Sequence, residues 1–231
     1  LVWYTQAGQP LSWNVTYAIQ IQEDGDELTG LMTKGSFLYV VELRHIYRFT
    51  FQSDPAVDGF IYQSCQRGCI NNRCWVHVEE NTLMLDQDGI HAFSGGQESQ
   101  QISTPIQRLF QPIDRLSPDD IAINWNARDL FHAANYPHEE CARWFVSMGG
   151  SYLPRHGLCY HYRTQRWWIE EYPIPISASA LSLVKFARVV FTGSEARRTL
   201  AMSQGYLDGI DRYAGDTFGT ITAVDNWSIT D

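Results

Sequence analysis

The 231-residue chain lacks the patterns that several large classes of protein require. It has no run of about 18 apolar residues, so we expect no membrane-spanning helix. It also has neither a Gly-x-x-x-x-Gly-Lys-Ser/Thr loop nor a Gly-x-Gly-x-x-Gly turn, which argues against nucleotide use. A Gly-x-Ser-x-Gly elbow is absent as well, which argues against a serine hydrolase of that type.

Positive charge is scarce. The chain has 26 acidic and 17 basic residues, a net charge of −9, and Lys34 and Lys185 are its only lysines. A net negative charge argues against wrapping nucleic acid through phosphate contacts, which need a basic surface, although DNA can slide along an acidic wall. The arginine bias, with eight Trp and 12 Tyr, is typical of interfaces and favours an obligate assembly.

Cysteines are few and odd in number, which argues against a disulfide scaffold and predicts mostly free, buried thiols. The five are Cys65, Cys69, Cys74, Cys141 and Cys159. The first three and His77 have the spacing C-x3-C-x4-C-x2-H, which could hold zinc. However, Cys74 and His77 would point to opposite faces of one alternating strand, so we expect a glycine turn entering a strand and predict no metal or other cofactor.

Residues 81–96 form a complete β-hairpin pattern. Leu83 and Leu85 alternate with Met84, Asp88-Gly89 suits a tight turn, and the return strand carries Ile90 and Phe93.

The same order recurs at residues 35–49, 157–169 and 199–213. If Leu38, Leu83, Leu158 and Leu200 are equivalent, two spacings match a blade of about 40–45 residues and the third contains an insertion. The sequence therefore predicts an all-β fold, a β-propeller-like array of four-stranded antiparallel blades with a short helical insertion. The strand pattern at 221–224 has no partner left in the sequence, so we expect closure with the N-terminal segment or with further chain of a longer polypeptide.

The predicted organisation is one continuous domain, with two blades in residues 1–96, the insertion in 97–127 and further blades in 128–231. Within the insertion, Ser103 or Thr104 can cap an amphipathic helix with Pro105 at its first position. Apolar insertions outside the repeat need a surface to bury against, so this segment and the loops at 137–140 and 149–154 are expected to contact neighbouring subunits. The predicted contact residues are Ile106, Leu109, Phe110, Ile113, Tyr152 and Leu153.

Catalytic alternatives can be composed from the side chains. The histidines could join an Asp and a Ser in a triad, but the serines fall in turns. Carboxylate pairs could act as the acid and base of a glycoside hydrolase. Those beside Asp-Gly turns, however, are explained by the hydrogen bonds that they accept from backbone N–H groups. The pairs are Asp86 with Asp88, Glu139 with Glu140, Glu170 with Glu171, and Asp208 with Asp211. We predict no enzymatic activity.

Several segments, taken in order, resemble the β-propeller structural proteins of tailed bacteriophages, which are the tail-hub, nozzle and packaged-DNA-stabilisation proteins below the portal. They lie at residues 3–10, 28–31, 45–47, 68–69, 83–95, 102–103, 159–167 and 205–211. The resemblance covers most of the chain and carries no catalytic residues.

This resemblance implies a virion protein of the tail or head-to-tail region. Such proteins form rings, commonly sixfold, beside portal, adaptor or tail proteins, and DNA passes through without specific binding. The rival hypothesis is a phage sugar-binding or sugar-cleaving propeller, which would place Trp167, Trp168 and a carboxylate pair in one open cleft.

Overall fold

The computed structural model describes residues 2–5, 8–19, 21, 26–50, 60–111, 121–184, 187–193, 199–201, 212–213 and 218–220. Within these residues the chain consists of β-strands and turns with two short 3₁₀ helices, Thr104–Phe110 and Trp125–Leu130. No helix in this part of the chain is long and apolar enough to cross a membrane. The predicted all-β class is confirmed.

The strands group into successive sheets, each following the last along the chain. An N-terminal hairpin pairs β1 (Val2–Thr5) with β2 (Trp13–Ile19). Sheet 1 contains β3 (Leu28–Lys34), β4 (Phe37–Glu42), β5 (Ile46–Thr50) and β6 (Phe60–Cys65). Sheet 2 contains β7 (Trp75–Val78), β8 (Asn81–Asp86), β9 (Gly89–Phe93) and β10 (Ser99–Gln101). Sheet 3 contains β11 (His132–Tyr136), β12 (Cys141–Val146), β13 (His156–His161) and β14 (Arg166–Glu171).

Sheets 1 to 3 are four-stranded antiparallel meanders in which each strand pairs with the next one in sequence. The hairpin expected at 81–96 is present, with Asp86 opposite Gly89 and Thr82 opposite Phe93. The four-stranded antiparallel sheets are confirmed, but the described residues do not make up a closed propeller.

A fourth sheet has five strands in the order β15-β16-β17-β19-β18. Its strands are β15 (Ala178–Val184), β16 (Ala187–Gly193), β17 (Thr199–Ala201), β18 (Arg212–Tyr213) and β19 (Phe218–Thr220). The hairpin predicted at 199–213 lies mostly outside the described residues. Its two ends both pair with β19 and not with each other. The orphan strand pattern predicted at 221–224 also lies outside them.

The predicted register of the repeat is wrong by one strand in its second half. Leu38 and Leu83 lie on the second strands of sheets 1 and 2, whereas Leu158 and Leu200 lie on the third strands of sheets 3 and 4. The true counterpart in sheet 3 is β12, all six of whose residues are buried. A strand buried on both faces shows no alternation, which concealed it in the sequence.

The sheets stack on one another with their first strands close together. Between β7 and β11, Asn135 Nδ2 donates to the carbonyl oxygen of His77 at 3.1 Å, and the Ala133 amide donates to Arg73 O at 2.7 Å. One hydrophobic core fills the space between sheets 1 and 2 and between sheets 2 and 3. Its residues include Met32, Tyr39, Leu83, Leu85, Phe93, Trp144, Val146 and Leu158.

Glycine allows two close approaches, one between sheets 1 and 2 and one between their connector and sheet 1. A Cβ at Gly30 would lie 2.6 Å from the Trp75 ring, and one at Gly68 would lie 2.0 Å from the carbonyl oxygen of Glu42. Beside Gly68, the Cys69 amide donates to Glu42 O at 3.1 Å and the Ile70 amide donates to Leu85 O at 3.0 Å. The connector at 68–70 therefore hydrogen-bonds to the second strands of both sheets.

The expected amphipathic α-helix is instead a 3₁₀ helix, Thr104–Phe110, with non-helical backbone angles at Ile106. The Ser103 hydroxyl does not cap it, because this oxygen accepts a hydrogen bond from the Ile90 amide at 2.9 Å. The predicted insertion also begins too early, since 99–101 is the fourth strand of sheet 2.

Candidate functional site

The turn between β8 and β9 carries the first predicted carboxylate pair. The Gln87 amide donates to Asp86 Oδ1 at 2.6 Å, and Asp88 Oδ1 lies 3.0 Å from His91 Nε2. Arg67, from the connection between sheets 1 and 2, contacts Asp88 through Nη1, and the same atom lies 3.8 Å from Asp86 Oδ2. We call Arg67, Asp86, Asp88 and His91 the turn cluster.

Burial governs the ionisation of the turn cluster. It raises the pKa of Asp86 to about 7, with the Asp88 charge adding to the shift and Arg67 and the Gln87 amide opposing it. The pKa of His91 is lowered, again chiefly by burial. A glycosidase holds two carboxyl groups across an open substrate site. Here the Arg67 guanidinium lies beside both carboxylates, so its charge compensates theirs within the turn.

A second cluster lies in sheet 1, where Asp26, Glu42 and His45 place potential ligand atoms within 4.8 Å of one another. Asp86, Asp88 and His91 do the same in sheet 2, and carboxylate oxygens with imidazole nitrogen could ligate a divalent cation. Both sets have partners already, since Asp26 Oδ2 accepts from the Arg44 amide at 2.8 Å and lies 3.3 Å from His45 Nδ1.

Sequence reasoning found the Asp86 and Asp88 pair but missed its Arg67 partner and the whole Asp26, Glu42 and His45 cluster. Glu42 and Asp86 end the second strands of adjacent sheets, so an alignment of the chain sheet by sheet would have paired them. A cavity of about 530 Å³ lies between them, and its lining includes His45, Arg67 and Asp86.

The five cysteines are free and buried, as predicted for most of them. Burial raises the pKa of Cys69 to about 12 and that of Cys74 well above its usual value. His77 is exposed and its Nδ1 lies 2.9 Å from Thr82 Oγ1, whereas the Cys69 and Cys74 thiols lie in the core. The structure therefore does not gather the C-x3-C-x4-C-x2-H residues around one point.

Arginines pair with carboxylates of two further predicted pairs, Glu139 with Glu140 and Glu170 with Glu171. Arg143 is buried, and its Nη2 donates to Glu139 Oε2 at 2.7 Å and to Glu170 Oε1 at 3.2 Å. Arg163 pairs with Glu140 at 2.8 Å. Asp208 and Asp211 lie outside the described residues.

Glu170 has a full set of partners. Besides Arg143, it accepts from Trp168 Nε1 at 2.8 Å and from the Tyr172 hydroxyl. The Arg143 guanidinium also lies 4.1 Å from the centre of the Tyr136 ring. A carboxylate held this firmly is poorly placed to exchange protons with a substrate, and the network stabilises sheet 3.

The two neighbouring tryptophans of β14 face opposite sides of sheet 3. Trp167 packs on Tyr160, with ring centres 4.7 Å apart, and its Nε1 donates to Ile102 O at 3.0 Å. Trp168 lies on the other side with Glu170. The single cleft that the sugar-binding hypothesis requires of these residues is not formed.

The predicted histidines are also dispersed. His132 is buried and stacks on Phe145 with ring centres 4.8 Å apart, and burial lowers its pKa to about 4. His161 Nδ1 accepts from the Thr164 amide at 3.3 Å. His45 and His91 each lie beside an aspartate, as described above.

The predicted contact residues have different surroundings. Phe110 is buried in the core against Trp125, and Ile106 and Leu109 are half-buried beside it. Tyr152 is 62% exposed and Leu153 half-buried, while Ile113 lies outside the described residues. Their role in contacts between subunits stays a prediction, and among the five that the structure describes only the loop residue Tyr152 presents most of its side chain at the surface.

Neither a protein-family model nor a curated protein matches the chain. One solved structure that is similar to it is the extracellular domain of a one-component system from B. thetaiotaomicron, with 13% sequence identity and a TM-score of 0.44. The match covers 88% of this chain and 26% of that chain, so the chain spans about a quarter of its length. This distant likeness assigns no function.

Proposed function

We propose that the chain is a structural subunit of a tailed-phage virion, folded as consecutive blades of a β-propeller and placed in the tail or head-to-tail assembly. The observation that carries the proposal is the run of three four-stranded antiparallel meanders whose first strands approach one another, β3 and β7 at Gly30 and Trp75, and β7 and β11 at His77 and Asn135. In a propeller, four-stranded blades surround a central axis, which brings their first strands together. This is the architecture that the sequence resemblance implies.

The polar chemistry supports a structural role more than a catalytic one. Arg67 forms ion pairs with Asp86 and Asp88, and Arg143 forms ion pairs with Glu139 and Glu170. These carboxylates therefore act within the fold.

Several aromatic and apolar side chains are exposed and could be buried by contacts with a neighbouring subunit. Trp3 and Trp13 of the N-terminal hairpin are 47% and 66% exposed, and Ile169 on the outermost strand of sheet 3 is 45% exposed. An isolated two-stranded hairpin is marginally stable in water, so a neighbour that packs on it would stabilise it. The partners proposed are further copies of this chain in a ring, commonly sixfold, and portal, adaptor or tail proteins. DNA would pass through the ring without specific binding.

Immunogold labelling of purified virions tests the proposal. Antibodies against the chain should decorate the neck or tail, and virions lacking the chain would overturn the proposal. Light scattering on the full-length protein should show a closed ring, or a monomer that forms one when portal or tail partners are added. A stable monomer that ignores these partners and binds glycans would favour the sugar-binding hypothesis.

Deleting 97–127 does not test assembly cleanly, because that segment contains β10 and the core residues Phe110 and Ala127. The double variant Trp3→Ser/Trp13→Ser is better suited, since both side chains are largely exposed. Gln100→Ala, an exposed polar change in β10, is the matched control.

A further inference from the structure

A second cavity between sheets 1 and 2, of about 520 Å³, opens beside the β3–β4 and β7–β8 turns. Its lining includes Lys34, Phe37, Tyr39, Arg48, His77 and Glu80. We call it the Arg48 cleft. It shares no lining residue with the turn cluster.

Arg48 is held in a fixed position within this cleft. It lies between Tyr39 and Tyr62 in a row across β4, β5 and β6. Its guanidinium carbon is 3.6 Å from the centre of the Phe37 ring and 5.2 Å from that of Tyr62. Stacking on aromatic faces orients the planar guanidinium, so little side-chain entropy remains to be lost on binding.

Unlike four other arginines of the chain, Arg48 has no acidic partner among the described residues. Arg67, Arg128, Arg143 and Arg163 each pair with a carboxylate, whereas Arg48 forms no ion pair within the described part of the chain. Its Nε is buried there without a hydrogen-bond partner.

Two acidic residues, Glu79 and Glu80, also line the cleft, but neither forms an ion pair with Arg48 in the described part of the chain. Lys34 Nζ donates to the backbone carbonyl of Glu80, and the Glu80 charge opposes the lowering of the Lys34 pKa that burial causes. The pKa of His77 is lowered by burial and by the Lys34 charge. Lys34 thus has Glu80 as its nearest counter-charge, whereas Arg48 has no carboxylate at ion-pair distance among the described residues.

We propose that the Arg48 cleft receives a carboxylate side chain from a second copy of this chain. A guanidinium fork binds a carboxylate through two parallel hydrogen bonds, and the stacked geometry presents it ready for such a pair. With 26 acidic residues and a net charge of −9, another copy offers many carboxylates to a guanidinium that has no ion-pair partner of its own. The inference rests on the proposed function in that both require self-assembly.

Sedimentation velocity on the full chain tests this. Arg48→Gln should weaken self-association about tenfold or more, and Arg48→Lys, which keeps the charge but loses the fork, should weaken it less. Arg166→Gln is the matched control, because Arg166 is exposed and forms no ion pair in the described residues. Self-association of Arg48→Gln at the wild-type level would overturn the inference.

A second experiment, peptide competition, uses the wild-type chain and so does not depend on whether Arg48→Gln folds. Acetylated tetraglutamate peptide should compete with self-association of the wild-type chain, while tetraglutamine at the same concentration should not. Equal effects of the two peptides would overturn the inference. The inference and the proposed function can fail separately. If Arg48→Gln self-associates at the wild-type level while virions carry the chain, the inference fails and the proposed function stands. If self-association depends on Arg48 while virions lack the chain, the inference stands and the proposed function fails.

Discussion

The indole N–H of Trp144 donates to the carbonyl oxygen of Cys74 at 3.1 Å, joining the second strand of sheet 3 to the residue before the first strand of sheet 2. Trp144 is fully buried, and its ring centre lies 6.0 Å from that of Trp167. The bond and the packing together hold two sheets in register with each other.

Trp144→Phe should lower the free energy of unfolding by about 2–4 kcal/mol, because it removes this bond and leaves a cavity in the core. Urea denaturation followed by circular dichroism measures the change. Trp13→Phe, at a position 66% exposed, should stay within about 0.5 kcal/mol of wild type. Equal losses in the two variants would contradict the structure.

Gly68→Ala should destabilise the chain by about 2 kcal/mol or more, since the added methyl group would meet backbone atoms of Glu42 and Leu43 that cannot move aside easily. Gly150→Ala is the control, because a Cβ there has no atom within 4 Å. Thermal unfolding of both variants should show a clear drop in Tm for Gly68→Ala alone. A Tm for Gly68→Ala that matches the control would show that the connector can move away from Glu42.

Asp86 should make stability depend on pH. Its pKa rises from 3.8 to about 7 on folding, so the folded chain holds this proton more tightly than the unfolded chain. The contribution of Asp86 therefore becomes unfavourable as pH rises from about 4 to about 7, with a limiting slope of about 1.4 kcal/mol per pH unit.

Asp86→Asn removes this titration and keeps an oxygen for the Gln87 amide. Relative to wild type, the variant should gain about 1 kcal/mol or more of unfolding free energy between pH 5 and pH 8, measured in urea. Asp129→Asn, at a side chain 91% exposed, should show no such gain. A wild-type minus Asp86→Asn difference that does not change with pH would refute the burial argument.

Arg143→Met should cost about 3–5 kcal/mol, because Glu170 is then left as a buried charge without its counter-ion. Adding Glu170→Gln should restore at least about 1 kcal/mol, since the amide oxygen can still accept from Trp168 and no charge remains to be compensated. Denaturant unfolding of the single and double variants provides the comparison. A double variant less stable than Arg143→Met would count against this ion pair.

The sequence was informative where structure depends on adjacent residues. The Asp88-Gly89 turn and the alternation of Leu83 and Leu85 are local signals, and the hairpin formed as expected. The register of sheet 3 was missed because β12 is buried on both faces and shows no alternation. The helix prediction erred because the Ser103 hydroxyl bonds to Ile90, a partner 13 residues earlier that no local pattern reveals.

The polar sites depend on contacts between residues far apart in the chain, which is why sequence alone did not find the arginine partners of these carboxylates. Arg67 reaches Asp88 from the connector between sheets 1 and 2, and Arg143 gathers carboxylates that lie 31 residues apart in the chain. Their sequence neighbours suggested pairs such as Glu139 with Glu140. The fold instead gives those two residues different arginine partners.

The connector at 68–70 has a mechanical consequence. Because Cys69 bonds to the end of β4 and Ile70 bonds to the end of β8, tension that enters through β6 divides between two sheets before it reaches β7. Peeling either sheet away from the other must break these bonds at the same time as the strand pairs beside them. Sheets 1 and 2 should therefore resist a pulling force as one unit.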